Sequence, residues 1–357
     1  MDYIRRVIFS YSGGYNFIHR QVCFEFRENI PKVCPLVYFD ALCSDGRQPK
    51  HVQPDDTWAT IALDQGLLHI LQWSIHCYTG KEPCEEVARY GHLELLKWLK
   101  EQGYDFNVSR ICILATKGGH LEILKWISSS SWFAMNGAPS PWTKGITLEA
   151  SIKCNLEILQ WAIANGCEWH RNSFTHIARS GETEIIKWAI LNNCPWGILP
   201  ARAIAEKGDF ALLQWARANG CPWDDFAPSE MASNGNLEML QWARADDCPW
   251  DEKTCTQAAL AGNLEILKWC REQGCPWSDV TCSYAIARGH LEILKYLKEN
   301  GCPWDENICQ IAAEKGHVKV LEWAIQEGYP YDRDAILRMA KQGYKFSITA
   351  FMRNVHY

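Results

Sequence analysis

Along residues 51–345 the apolar positions recur at helical spacing, and the pattern itself repeats. In Leu264-Glu265-Ile266-Leu267-Lys268-Trp269, the residues Leu264, Ile266, Leu267 and Cys270 form an apolar stripe, with Glu265 and Lys268 on the polar side. The phrase opens on Gly262. Aligning every such phrase on its opening residue gives one column: Gly66, Gly91, Gly119, Cys154, Gly181, Gly208, Gly235, Gly262, Gly289 and Gly316. From Cys154 onward each interval is 27 residues, and the three before it are 25, 28 and 35. The chain is therefore built from about ten copies of one short unit, one of them carrying an insertion near 127–141.

Each unit predicts two helices. The residue after the anchor glycine (Asn155, Asp209, Asn236 or Asn263) can cap the second helix. Glu265 then sits where the helix dipole favours an anion. Twelve residues past the anchor stand Gly103, Gly166, Gly220, Gly274, Gly301 and Gly328, with Asn193 and Asp247 as the tolerated substitutes, which predicts a left-handed C-cap. Cys-Pro-Trp follows at 194–196, 221–223, 248–250, 275–277 and 302–304, and proline cannot continue the finished helix. Asp251 or Asp305 then caps the first helix of the next unit. That helix carries small pairs such as Ala258-Ala259 and Ala312-Ala313, which let neighbouring helices approach closely.

Composition alters this picture little. The 18 tryptophans fall in two columns, seven residues after and twelve before the anchor, leaving only Trp58 and Trp132 outside. They read as a stacked core. The 17 cysteines come without a secretory signal and read as buried free thiols of a reducing compartment, cytoplasmic or nuclear. No run reaches the length of a membrane span, so no membrane partner is expected. The net charge of -6, from 36 basic and 42 acidic residues, argues against a dedicated nucleic-acid partner. A monomer is expected.

Gly262-Asn263-Leu264-Glu265-Ile266-Leu267-Lys268-Trp269-Cys270-Arg271-Glu272-Gln273-Gly274 resembles the second helix of ankyrin repeats, and Cys309-Gln310-Ile311-Ala312-Ala313-Glu314-Lys315-Gly316 resembles the end of the first. The unit is shorter than the family's 33 residues and lacks the Thr-Pro-Leu-His signature. The resemblance implies an all-α solenoid of about ten stacked helix-turn-helix repeats with shortened hairpin loops, over residues 51–345.

Residues 1–50 do not repeat. Ile8-Phe9-Ser10-Tyr11 with Val22-Cys23-Phe24-Glu25-Phe26-Arg27 resembles a degenerate F-box, lacking the opening Leu-Pro and with Phe26 in place of tryptophan. It implies docking of residues 1–30 to a ubiquitin-ligase adaptor, while the alternative is a helical cap on the first repeat. Residues 44–56 read as a linker, and residues 346–357 as a tail.

No catalytic residue, cofactor site or metal site emerges. Cysteines seven apart lack zinc-ligand spacing, and phosphate-loop and nucleophile motifs are absent from the sequence. The histidines at 92, 120, 290 and 317 follow the anchor glycine and read as hydrogen bonders. A binding protein remains. In ankyrin arrays the two residues before the anchor face the concave surface. Here those positions include Arg89, Tyr90, Lys117, Lys153, Arg179, Lys207, Arg288 and Lys315, and they sum to seven basic against three acidic residues. An acidic or phosphorylated protein segment is the expected partner. Trp132, Phe133 and Met135 in the insertion are further candidate anchors.

Overall fold

The computed structural model describes residues 35–46, 53–129, 143–197, 199–304, 307–334 and 336. Every regular element among them is helical. Residues 1–30, the candidate anchors Trp132, Phe133 and Met135, and the tail lie outside the described residues. Two compact units meet in sequence at His170 and Arg171. Each is a solenoid of helix pairs joined by short loops, as the repeat predicts.

The first unit opens with α1 (Pro35–Ser44). Four pairs follow: α2 (Asp56–Gln65) with α3 (Leu68–Ser74), α4 (Pro83–Tyr90) with α5 (Leu93–Glu101), α6 (Val108–Gly118) with α7 (Leu121–Ser129), and α8 (Lys144–Ile152) with α9 (Leu156–Ala164). The first helices stack in series, α2 on α4 on α6 on α8, and each also packs on its own partner. Ala88, Ala115 and Ala150 are fully buried in this ladder, small enough for the close approach. Helix α7 continues to Ser129 with Ile127 fully buried, so the break in the repeat begins later than residue 127.

Helix α1 packs on α3. Phe39 is fully buried, with its ring 4.9 Å from Trp58 and 5.8 Å from Trp73. Leu67 occupies the place where other units carry a polar cap. The missing cap comes from α1: the Asp40 carboxylate accepts the Ile70 N–H at 2.8 Å and lies 3.0 Å from His69 Nδ1.

The second unit contains α10 (Ser173–Ser180), α11 (Thr183–Leu191), α12 (Pro200–Ala205), α13 (Phe210–Ala218), α14 (Ala227–Ser233) and α15 (Leu237–Ala245). It continues through α16 (Glu252–Ala261), α17 (Leu264–Glu272), α18 (Asp279–Arg288), α19 (Leu291–Glu299), α20 (Ile308–Lys315) and α21 (Val318–Gln326). The even-numbered helices form the ladder here. The turn chemistry follows the sequence: Cys154, Asn193 and Asp247 take φ of 50°, 56° and 57°, the left-handed region that glycine fills in the other copies.

The tryptophan columns pack edge-on against each other. Trp223 meets Trp242 at 5.6 Å, Trp250 meets Trp269 at 5.7 Å and Trp304 meets Trp323 at 6.0 Å between ring centroids. Most of these rings are half-buried rather than enclosed, because they cap the loops and the second helices. The enclosed core is mainly aliphatic, alanine and cysteine, with Phe39 and Phe174 also fully buried.

Candidate interaction surface

Each first helix ends at a left-handed residue, and the two residues before that stop project from the ladder. The structure leaves Arg89, Tyr90, Lys117, Lys153, Arg179, Lys207, Arg288 and Lys315 all exposed at this place. Arg89, Lys117 and Lys153 stand at or just past the C-terminal ends of successive first helices of the first unit. Arg179 and Lys207, and then Arg288 and Lys315, do so in the second.

The backbone under these side chains is held from the next repeat. His92 Nε2 lies 2.8 Å from the Asp64 carbonyl, His120 Nε2 3.0 Å from that of Arg89, His290 Nε2 3.2 Å from that of Leu260 and His317 Nε2 2.9 Å from that of Ala287. These histidines donate backwards across the repeat junction instead of capping their own helices. Asn263 does the same, its amide donating to the carbonyls of Ala232 at 2.7 Å and Ser233 at 3.3 Å. The sequence-based assignment of Asn263 as an N-cap is thereby corrected. Asn155, Asp209 and Asn236 do cap, each accepting a backbone N–H three residues on at 3.0, 2.9 and 2.9 Å.

The charges beside this surface differ between the units. In the first, Arg89 lies 3.7 Å from Glu86, and Arg110 Nε lies 2.5 Å from the Glu85 carboxylate. Burial raises the pKa of Glu85, and the Arg110 hydrogen bond opposes that shift. In the second, Arg202 is fixed by Glu230, with Nε at 2.9 Å and Nη2 at 2.7 Å, and its backbone N–H donates to Asp224 at 2.9 Å. The Phe226 ring lies between two cations, Arg202 at 5.3 Å and Lys253 at 4.3 Å from its centroid. Between α10 and α12 lies a cavity of about 260 Å³, whose walls include Asn172, Thr175, His176, Arg179, Arg202 and Glu206. Farther along, Val280 and Tyr284 stand one helical turn apart on α18 with 45% and 43% of their surfaces exposed.

A third periodic feature escaped the sequence reading. Nine residues after the anchor, Arg217, Arg244 and Arg271 cover Trp223, Trp250 and Trp277 at 4.7, 4.3 and 4.2 Å from the ring centroids. Their Nη1 groups donate to the carbonyls of Cys221 and Cys248 at 2.5 Å and of Cys275 at 3.0 Å, clamping the Cys-Pro-Trp turn. Lys100 holds the same place in the first unit, over Phe106 at 5.0 Å and Trp126 at 5.7 Å, where burial lowers its pKa to about 8. The signal was present in the spacing, but a charged residue on a helix reads by default as solvated.

All the described cysteines except Cys77 and Cys154 are buried, and all are free of disulfides among the described residues. Burial pushes the Cys112 and Cys194 thiols up to about 12. Among the described residues no group of three or more His, Cys, Asp or Glu is placed to hold a metal ion. No helix among them is long and apolar enough to cross a membrane.

Residues 282–325 match a family model described as ankyrin repeats in many copies. No curated protein matches the chain. Among solved structures the chain is similar to the maize pentatricopeptide repeat protein PPR10, at 14% identity and a TM-score of 0.39, covering 100% of this chain and 59% of that one. It is also similar to PPR10 in complex with an 18-nt psaJ RNA element, at 14% identity and a TM-score of 0.45, covering 90% of this chain and 56% of that one. The chain thus spans under two thirds of the length of these structures. The exclusion of nucleic acid made from net charge is withdrawn. The physical reason is that -6 is an average over the whole chain, while binding depends on the charge of one face. The family match supports ankyrin-type repeats over residues 282–325, in keeping with the helix pairs of the structure.

Proposed function

We propose that this protein is a binding scaffold whose first-helix faces take an acidic or phosphorylated protein segment. One observation carries the reading. The exposed positions before the anchor hold seven basic and three acidic residues in a chain of net charge -6. Cations elsewhere, such as Arg217, Arg244 and Arg271, are engaged by tryptophans and turn carbonyls. The test is affinity capture with the full chain, followed by binding of the recovered partner to a variant carrying Arg89→Glu, Lys117→Glu, Lys153→Glu and Arg179→Glu. Affinity should fall at least about tenfold, and the wild-type complex should weaken with salt. Unchanged affinity overturns the reading, and so does a partner that disappears on ribonuclease treatment.

A second reading rests on the F-box-like phrase alone. Residues 1–30 would dock a ubiquitin-ligase adaptor, making the repeats a substrate receptor in the cytosol or nucleus. Deleting residues 1–50 should then remove ligase subunits from the captured set and leave the other partners.

A further inference from the structure

We propose that the cavity between α10 and α12 binds a phosphoryl group carried on a side chain of the partner segment, an inference that rests on the scaffold reading. The cavity lies where the residue pattern, though not the 27-residue spacing, departs from the other copies. After Trp196 the usual aspartate is replaced by Gly197, and Leu199 then takes φ of 55° before Pro200 opens a helix of only six residues. Left-handed backbone costs a leucine about 1–2 kcal/mol, and Leu199 lines the opening that this conformation creates.

The walls bring together donors that the fold leaves in surplus. Arg202 uses Nε and Nη2 on Glu230 and rests on Phe226, so its plane is set while its remaining N–H donors stay available. Arg179 makes no ion pair or hydrogen bond with any described residue. His176 adds a ring N–H donor to the same wall. A phosphomonoester supplies three acceptor oxygens and a charge of about -1.5 to -2, and two guanidinium forks suit that geometry. The space, about 260 Å³, exceeds what one carboxylate fills. Glu206 is the opposing group in the same wall, and it gives the proposal a signed test.

N-acetyl-O-phosphoserine N-methylamide is titrated into the full chain while the imidazole NMR signals are followed, with His176 assigned from its loss in His176→Gln. The His176 signal should shift to saturation. Arg179→Gln should weaken binding at least about tenfold, and Glu206→Gln should tighten it about threefold by removing a like charge. Lys319→Gln, exposed on the second helix α21 and outside the first-helix face, should change nothing. N-acetylglutamate N-methylamide and dimethyl phosphate should bind at least about tenfold more weakly. No shift at His176, or equal losses in Arg179→Gln and Lys319→Gln, overturns the proposal. Equal binding of the glutamate probe overturns the phosphoryl assignment, and equal binding of dimethyl phosphate points to a nucleic-acid backbone and overturns it too. If the phosphoserine titration fails while the four-site charge-reversal variant still loses its captured partner, the cavity is not the site and the scaffold reading stands. If both fail, both are overturned.

Discussion

A methyl group on Gly262 would meet two obstacles at once. The backbone there has φ of 86°, and an added Cβ would lie 2.8 Å from Cε1 of His290 in the next repeat. Gly262→Ala should therefore cost about 2–3 kcal/mol, of which about 1–2 is backbone strain. In a His290→Ala background the ring is gone, and only the strain should remain. Urea unfolding of the two single variants and the double variant measures that coupling. Strict additivity would show that the ring is not seated on the glycine. The same junction explains why identical residues behave differently. Asn234 donates to the Ala205 carbonyl at 3.0 Å and to the Glu206 carbonyl at 3.2 Å, so Asn236 is left to cap its own helix. At the next junction position 261 is alanine, and Asn263 makes the backward bridge itself. Asp209 can only cap, since a carboxylate has no proton to give a carbonyl. The sequence showed a polar residue after each glycine but not which partner it would take, because that depends on the neighbouring repeat.

The helix pair and its turn were legible almost completely. Gly-to-Gly spacing, the Asn193 and Asp247 substitutions and the Cys-Pro-Trp stop all encode local backbone geometry, and local geometry is what a sequence pattern specifies. The depth of the tryptophans was not legible, since a ring can repeat faithfully in a core or along its edge. Trp242 is half-buried, between Phe210 at 5.5 Å and Trp223 at 5.6 Å. The sequence alone predicts a core-like loss of about 3–5 kcal/mol for Trp242→Ala. The observed packing lowers the expectation to about 2–3 kcal/mol, two edge contacts plus partial burial. Denaturant unfolding followed by tryptophan fluorescence should show that loss together with a broadened transition, because stacked repeats couple mainly to their neighbours. A loss under about 1 kcal/mol would mean that the column is decorative. The cavity between α10 and α12 lay beyond reach of the sequence for a related reason. Gly197 to Pro200 departs from the residue pattern of the other copies, but the departure does not announce the space beside it.

Buried thiols run through both units, and they tie the stability of the whole molecule to alkaline pH. Cys84 and Cys112 in the first unit, and Cys194 and Cys221 in the second, are pushed by burial up to about 12. A thiol in the unfolded chain ionises near about 8.5. The folded state thus favours the protonated form more strongly than the unfolded state does. The stabilisation is fully present below about pH 8.5 and is lost as pH rises through the window from about 8.5 to about 12. Each thiol should remove about 1.4 kcal/mol per pH unit inside that window. Urea midpoints measured at pH 8 and pH 10 should fall steeply for the wild type. Cys112→Ala, which keeps a small apolar filler and removes one titrating group, should show a shallower fall by about 1.4 kcal/mol per unit. Identical pH slopes for the two proteins would mean that the Cys112 thiol ionises as readily folded as unfolded, which its full burial forbids.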